Sequence, residues 1–170
     1  LYPDLIAFDG AVGHLEIKAL AAILDEARKL ERAVPAPFTV RVHGDFNLSN
    51  IMREAQSGAY RLIDLYRSRL SDYVQDLSVM ILSILRLPLS GVAQRDYLSG
   101  AATQVLEFAR KFAEDNYDPT AEARLAFGLA RSFLTSARFE PRRSVATRFM
   151  GYSRYLWTRL VEYGHTDRPW

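Results

Sequence analysis

One loop of this chain and the segment after it concentrate polar residues that could carry out chemistry. The loop reads Arg41-Val42-His43-Gly44-Asp45-Phe46-Asn47-Leu48-Ser49-Asn50, and Asp64 ends the apolar segment Tyr60-Arg61-Leu62-Ile63 that follows. A carboxylate in a turn after a strand can take a proton from a substrate hydroxyl. Asparagine and aspartate oxygens are hard ligands of the kind that magnesium prefers. These residue types at this spacing indicate a phosphoryl-transfer site.

In this interpretation Asp45 is the catalytic base, and Asn50 and Asp64 are magnesium ligands. The loop can curl so that Asp45 and Asn50 face one ion, and a hairpin can return Asp64 to the same place. The spacing permits this arrangement. The alternative is a plain tight turn at His43-Gly44-Asp45 followed by an ordinary asparagine at the start of a strand. His-Gly-Asp with an asparagine at this offset is expected by chance in roughly one of a thousand chains of this length.

The surrounding pattern predicts a mainly helical domain wrapped around a small β-hairpin platform. Leucine and alanine at three- and four-residue steps predict a helix over 14–32, and β-branched residues predict a strand over 38–42. Segments 51–53 and 60–64 flank the turn Gln56-Ser57-Gly58 and form a predicted hairpin. Apolar periodicity then predicts four helices over 74–87, 93–114, 119–138 and 141–163, the last two with proline at their first positions and Asp118 as a cap.

Bulk composition fits one folded domain. The chain has 170 residues, 49% of them apolar, and no cysteine, so a disulfide framework and a thiolate metal site are excluded. The longest apolar stretch, 79–89, is interrupted by Ser83, Arg86 and Pro88 and is too short to cross a bilayer. No signal peptide is visible, so we expect a cytoplasmic protein.

The loop resembles the catalytic segment of the aminoglycoside phosphotransferase/choline kinase-like family, which shares its site design with protein kinases. Protein kinases carry arginine where this chain has Gly44, which points to the small-molecule branch. A second motif of the family, Gly-Asp-x-x-x-Asp-Leu, is matched by Ser71-Asp72-Tyr73-Val74-Gln75-Asp76-Leu77. The matches together span 41–77.

The resemblance implies Asp45 as catalytic base, Asn50 and Asp64 as ligands of Mg²⁺, and ATP or GTP as phosphate donor. It also implies that Asp76 braces the loop through backbone hydrogen bonds, with a helix cap as the alternative role. His43 is expected to buttress the loop rather than to transfer protons. The fold implied is the mainly α C-terminal lobe of a kinase-like α+β protein.

Two positions depart from the family pattern. Asn47 stands where protein kinases have a phosphate-contacting lysine and where this family often has histidine, so a transition-state cation has to come from elsewhere. After Asp64 the chain reads Leu65-Tyr66-Arg67 instead of Phe-Gly. Arg67 is a candidate substitute cation, and an ordinary surface arginine is the alternative.

Features of a nucleotide-binding lobe are missing from the sequence. The nearest glycine pattern, Gly10-Ala11-Val12-Gly13, lacks the spacing of a phosphate loop, and Lys18, Lys29 and Lys111 fall on predicted helices. The chain begins at Leu1 rather than Met. We therefore expect 1–170 to be a single C-terminal lobe, with an N-terminal lobe preceding it in the intact protein, and we expect the isolated lobe to bind ATP poorly and to be inactive.

The acceptor is predicted from arginines near the C-terminus. Arg124, Arg131 and Arg138 recur at seven-residue steps, which keeps them in one stripe of a helix. Arginine suits carboxylate or phosphate recognition, so these residues are candidate substrate contacts for a neutral or anionic hydroxylated acceptor such as a sugar or sugar phosphate. A stripe that simply faces water is the alternative.

Two other function classes remain open at this point. One is a catalytically silent kinase-like binding module whose nucleotide lobe is degenerate. The other is a nucleic-acid-binding helical domain that uses the arginine-rich end. A net charge of only +2 and the lack of basic clusters interleaved with aromatics count against the second. The expected partners are thus a small-molecule hydroxyl substrate and the N-terminal lobe, with neither nucleic acid nor membrane.

Overall fold

A computed structural model describes residues 2–7, 10–12, 15–17, 19–88 and 91–164. They fall into two compact units, one drawn from Leu1–Pro35 and Glu122–Trp170 and the other from Ala36–Ala121. Over the ranges described, every helix is too short or too polar to serve as a membrane span.

The Ala36–Ala121 unit carries the polar loop on short strands backed by two helices. Strand β3 (Val40–Val42) pairs antiparallel with β6 (Arg69–Ser71), and β4 (Ile51–Arg53) pairs antiparallel with β5 (Tyr60–Leu62). Two single-turn 3-10 segments, Leu48–Asn50 and Leu65–Arg67, lie between these strands. Helices α3 (Val74–Leu85) and α4 (Val92–Asp115) follow and pack against each other.

Helix α3 forms the core of this unit because it is apolar over most of its circumference. Its buried residues include Leu77, Ile81 and Leu82, and the helix contacts the 3-10 segment Leu48–Asn50. At its start, Tyr73 stacks on Phe38 with ring centroids 5.7 Å apart. The loop is therefore built directly on the best-buried helix of the unit.

In the other unit, the described residues form helices and one small hairpin. It contains α1 (Pro3–Ala7), β1 (Gly10–Val12) paired with β2 (Leu15–Ile17), α2 (Leu20–Ala33), all but the first residue of α5 (Ala121–Phe139), and α6 (Arg143–Gly164). Helix α2 packs against α6. Helices α5 and α6 approach closely where the Ser153 hydroxyl donates to the Ala130 carbonyl at 2.7 Å, with both residues buried.

Polar contacts fasten α1 to the same unit. The Arg154 guanidinium donates to the Ile6 carbonyl at 2.6 Å. Arg143 forms an ion pair with Asp4, and its hydrogen bond and charge lower the pKa of that carboxyl below its ordinary value. These contacts explain how a five-residue helix with no buried residues is held in place.

The mainly helical architecture with a small hairpin platform is confirmed, while several element boundaries differ from the prediction. The helix expected over 14–32 begins at Leu20, because Leu15-Glu16-Ile17 pairs as a strand with 10–12. His14 lies outside the described residues. Helices α5 and α6 begin two residues after Pro119 and Pro141, so neither proline occupies the first helical position. Strand β6 was not predicted at all.

Candidate active site

The loop after β3 turns sharply at Gly44. This residue has φ +87°, in the left-handed region that favours glycine. A Cβ at position 44 would lie 2.5 Å from the Arg67 carbonyl oxygen and 2.8 Å from Arg67 Cβ. Glycine is thus required both by the backbone conformation and by the close approach of the 3-10 segment Leu65–Arg67.

The Asp76 carboxylate binds the backbone of this turn with both of its oxygens. The His43 N–H donates to Oδ2 at 2.6 Å and the Gly44 N–H donates to Oδ1 at 2.9 Å. Asp76 lies in the first turn of α3, where a negative charge also interacts favourably with the helix dipole. At the start of the helix, the Val74 N–H donates to the Asp72 carboxylate at 3.2 Å. Asp76 therefore contacts the loop backbone and Asp72 meets the start of the helix.

Two further side chains of α3 contact the loop backbone. The Gln75 amide donates to the Gly44 carbonyl at 3.3 Å, and the Leu48 N–H donates to the Ser83 hydroxyl oxygen at 3.2 Å. Sequence reasoning missed both contacts. The available signal was Ser83 itself, a hydroxyl in the middle of the most apolar helix of the chain.

His43 links the loop to the strand that precedes Asp64. Its ring is buried, with Nε2 2.9 Å from the Ile63 carbonyl oxygen and Nδ1 3.3 Å from the Asp45 N–H. A carbonyl can only accept and a backbone N–H can only donate, so Nε2 carries the proton and Nδ1 accepts. Both ring nitrogens are thereby occupied with backbone groups, an arrangement that holds the loop and leaves the ring no lone pair for a substrate.

Asp45 follows this turn with its side chain 29% exposed. Its carbonyl oxygen accepts from the Asn50 amide at 2.9 Å, and its carboxylate Oδ1 accepts from the Asn47 amide at 3.1 Å. Carboxylate Oδ2 lies 3.5 Å from Arg67 Nη1. The loop is thus closed on itself by two asparagines, and one oxygen of the Asp45 carboxylate faces a cation.

The Asn50 side chain is buried with a defined orientation. Because its amide group meets a carbonyl, the atom at that contact is the N–H-bearing Nδ2, and Oδ1 points the other way. Among the described residues, Oδ1 accepts no hydrogen bond. The Ile63 N–H donates to the Asn50 carbonyl at 3.0 Å, which continues the β4–β5 pairing one step beyond Ile51↔Leu62. This register places Asp64 one residue past the partner of Asn50.

Asp64 adopts a left-handed conformation, with φ 61° and ψ 49°, at the start of the 3-10 segment. Such a conformation is uncommon for a residue with a Cβ and is most readily adopted by asparagine and aspartate. Its exposed carboxylate does not cap the turn that it begins. The chain therefore reverses at Asp64 while the carboxylate oxygens remain available to a ligand.

Arg67 supplies a positive charge that interacts with both aspartates. Its Nε donates to the Tyr66 hydroxyl at 2.6 Å, and its guanidinium lies 5.1 Å from the centroid of the Tyr66 ring. This hydrogen bond, followed by the negative charges of Asp45 and Asp64, raises the pKa of Arg67 above its ordinary value. Arg67 therefore stays charged beside the predicted base and metal ligand.

Of the predicted site residues, the structure brings together those of the loop and its braces. His43, Asp45, Asn50 and Asp76 are joined by the hydrogen bonds described above, and Asp64 is joined through Ile63. Within the described part of the chain, no cluster of three or more His, Cys, Asp or Glu side chains is arranged to hold a metal ion. The predicted magnesium ligands, Asn50 and Asp64, are only two residues, and one of them is an amide, so they do not form such a cluster.

The three predicted substrate arginines lie on α5 in different environments. Arg124 is buried, Arg131 is exposed and ion-paired with Glu31, and Arg138 is exposed with its guanidinium 5.0 Å from the Phe139 ring centroid. The Arg131 side chain is 47% exposed, and desolvation of its buried part lowers its pKa. The seven-residue spacing keeps them in one stripe, but that stripe runs from the interior of its unit to the surface.

Comparison with protein-family models adds an independent observation. The model of the phosphotransferase enzyme family (APH) matches residues 3–119, which is more than half of the chain and includes the whole loop together with Asp64 and Asp76. The chain belongs to this family. Comparisons with curated proteins and with solved structures give no match.

Membership in the phosphotransferase enzyme family confirms the resemblance to aminoglycoside phosphotransferases and choline kinases that the loop indicated. It identifies the domain as a kinase-like transferase domain. The helices and small antiparallel hairpins of the structure agree with an α+β kinase-like lobe.

Replacement of Gly44 by alanine tests the close packing at the turn. Gly44→Ala is expected to lower the free energy of unfolding by about 2–4 kcal/mol, because the left-handed conformation and the contact with the Arg67 backbone both oppose a Cβ. Urea unfolding of the protein measures this. The matched control is Gly100→Ala in α4, where no atom lies within 4 Å of the added Cβ and a gain of roughly 0.5–1 kcal/mol is expected. Equal stability of the two variants would contradict the packing described.

Replacement of Asp76 by asparagine tests whether its carboxylate holds the backbone of the turn at His43 and Gly44. Two charge-assisted hydrogen bonds to backbone N–H groups are worth about 1.5–3 kcal/mol each, so Asp76→Asn is expected to destabilise by roughly 2–4 kcal/mol, since the amide retains one acceptor and places N–H groups against N–H. Thermal or urea unfolding measures the change. Asp115→Asn, whose partner Lys111 is an exposed neighbour on α4, is the control and should cost under about 1 kcal/mol. An Asp76 variant no less stable than this control would contradict the role of the brace.

Proposed function

We propose that the intact protein transfers the γ-phosphate of ATP or GTP to a hydroxyl group of a small molecule, with Asp45 as the base. The observation that carries this proposal is the orientation of the loop amides around Asp45. Asn50 donates to the Asp45 carbonyl and thereby turns its own oxygen away from the loop. A carboxylate that is 29% exposed and an amide oxygen that accepts no hydrogen bond from the described residues are thus fixed on one loop, beside the exposed carboxylate of Asp64.

The residues present fit a magnesium ion. Asn50 Oδ1 accepts no hydrogen bond from the described residues, and the exposed Asp64 carboxylate does not cap its own turn. Mg²⁺ is commonly held by one or two protein oxygens together with substrate phosphates and water, so a ligand pair of this size is sufficient. When bound, the ion neutralises charge on the phosphates. We propose Asn50 and Asp64 as its protein ligands.

Residues in and around the loop would position the reacting groups. Asp45 takes the proton of the acceptor hydroxyl, and Arg67 beside it stabilises negative charge on the transferred group in place of the lysine or histidine that Asn47 replaces. His43 and Asp76 hold the backbone of the loop through the contacts already described. Phosphoryl transfer requires mainly such positioning and charge stabilisation, because the protein has little covalent chemistry to perform.

We propose that a separate N-terminal lobe completes the nucleotide site. Lys29 and Lys111 lie on α2 and α4, so neither is a strand lysine, and Lys18 lies outside the described residues. Around the hairpin, the Ala36–Ala121 unit exposes large apolar side chains, namely Met52 (55%), Tyr60 (72%), Leu62 (46%), Leu65 (51%), Tyr66 (71%) and Leu70 (64%). Exposed apolar surface on this scale is typical of an interaction surface, and the N-terminal lobe is its proposed partner.

We propose a neutral or anionic hydroxylated acceptor, such as a sugar or sugar phosphate. Support comes from Arg131 and Arg138, whose exposed guanidinium groups suit carboxylate or phosphate binding. Arg124 is buried, so it is not one of the proposed contacts.

Replacement of Asp45 by asparagine tests the reaction. With the full-length protein, hydroxylated metabolites are screened for magnesium-dependent consumption of ATP and of GTP, and the best acceptor is retained. Asp45→Asn is expected to lower kcat by about 10²-fold or more, because a general base is removed while the size of the side chain and the backbone contacts of the loop are kept. Asp96→Asn, an exposed aspartate on α4, is the matched control and should leave kcat unchanged.

Three outcomes of this screen separate the alternatives. Full activity of the Asp45 variant would remove Asp45 from the role of base. An absence of turnover with every acceptor, in a protein that still binds nucleotide, would favour a catalytically silent binding module. Turnover of kanamycin-like amines with no turnover of sugars would overturn the acceptor class and leave the phosphotransferase proposal standing.

A further inference from the structure

Asn47 contacts the predicted base on one side and a serine on the other. Its Nδ2 donates to Asp45 Oδ1 at 3.1 Å and to the Asp45 carbonyl oxygen at 3.3 Å. Its Oδ1 accepts from the Ser49 N–H at 3.0 Å and from the Ser49 hydroxyl at 2.5 Å. One amide group therefore joins Asp45 to the 3-10 segment Leu48–Asn50.

These partners fix which way the amide faces. The Ser49 N–H can only donate, so the Asn47 atom that meets it is the oxygen, and the N–H groups must face Asp45. A flipped amide would place N–H against N–H at Ser49 and oxygen against oxygen at Asp45. Ser49 therefore determines the orientation of Asn47, and Asn47 in turn restricts rotation of the Asp45 carboxylate.

The two oxygens of that carboxylate differ as a result. Oδ1 is occupied by Asn47, while Oδ2 faces Arg67 at 3.5 Å, which is longer than a good hydrogen bond. Oδ2 is thus the oxygen that can approach a third group without breaking a strong contact.

We infer that Asn47 is a positioning residue, which acts through Asp45 and is itself oriented by Ser49, and that Asp45 Oδ2 is the atom that receives the proton. This inference rests on the proposed phosphotransferase function. In the step itself, the O–H bond of the acceptor breaks and its proton goes to Oδ2. The acceptor oxygen forms a bond to the γ-phosphorus, and the bond from that phosphorus to the leaving nucleoside diphosphate breaks. Asn47 replaces the usual cation at its position with a neutral donor that aims the base.

Asn47→Asp is an informative variant because it keeps the contact with Ser49, removes the donor to Asp45 and adds a negative charge beside the base. A carboxylate still accepts from the Ser49 N–H, so the turn is kept, but it cannot donate to Asp45. In the full-length protein with the acceptor found by screening, kcat is expected to fall by about 10- to 100-fold, as for other small misplacements of a reacting group. KM for nucleotide and for acceptor should stay within about threefold, because a residue that acts through Asp45 contacts neither substrate.

A double variant distinguishes positioning from a merely structural role. If Asn47 acts through Asp45, Asn47→Asp should cause no further loss of kcat, within about twofold, in a protein that already carries Asp45→Asn. A second full loss in that background would overturn the inference. Asn116→Asp, an exposed asparagine at the end of α4, is the matched control and should leave kcat unchanged.

Ser49→Ala keeps the backbone donor to Asn47 and removes the hydroxyl donor. It provides a second test if the Asn47 variant does not fold. Its kcat is expected to fall by roughly three- to tenfold with both KM values unchanged. Unchanged kcat in Ser49→Ala or in a folded Asn47→Asp variant would overturn the inference, as would a rise in KM for nucleotide without a change in kcat. The proposed function fails separately, if the wild-type protein shows no turnover at all.

Discussion

The geometry of the loop depends first on one carboxylate that binds two adjacent backbone N–H groups. Loops lack the repeating hydrogen bonds of helices and strands, so a buried turn has to obtain partners for its backbone from side chains. Asp76 provides them for His43 and Gly44 from the first turn of α3, a helix that is itself buried. With this turn fixed, the His43 ring contacts the Ile63 carbonyl, and Gly44, which has no Cβ, allows the Arg67 backbone to pack closely against it. The same constraint therefore aligns the segment that bears Asp45 with the segment that bears Asp64.

Two asparagines then complete the environment of Asp45 in complementary ways. Both donate N–H groups to oxygens of Asp45, and in both the partner determines which way the amide oxygen points. The oxygen of Asn47 accepts from Ser49 within the loop, whereas the oxygen of Asn50 accepts no hydrogen bond from the described residues. Amide side chains suit both roles, because they offer a donor and an acceptor on one rigid group without adding charge between Asp45 and Asp64.

Much of this arrangement could be predicted from local sequence, and the rest depends on tertiary contacts. Helix periodicity and the turn around Gly58 are local signals, and the structure contains the helices and the hairpin that they predict. The partner of β3 is distant in sequence, and a three-residue strand such as Arg69–Ser71 leaves little periodicity to detect. Ser83 contacts the loop only because α3 packs beneath it. The stripe on α5 shows the same limit, since seven-residue spacing groups side chains without telling whether Arg124 faces solvent or core.

The proposal that the oxygens of residues 50 and 64 bind one divalent cation beside Asp45 can be tested by measuring Mn²⁺ affinity. Mn²⁺ substitutes for Mg²⁺ at oxygen-ligand sites and is detected by electron paramagnetic resonance, here in the full-length protein with a non-hydrolysable ATP analogue. We expect Asn50→Ala and Asp64→Asn each to weaken Mn²⁺ binding by at least about tenfold, with Asp96→Asn unchanged. Wild-type Mn²⁺ affinity in both variants would contradict the account.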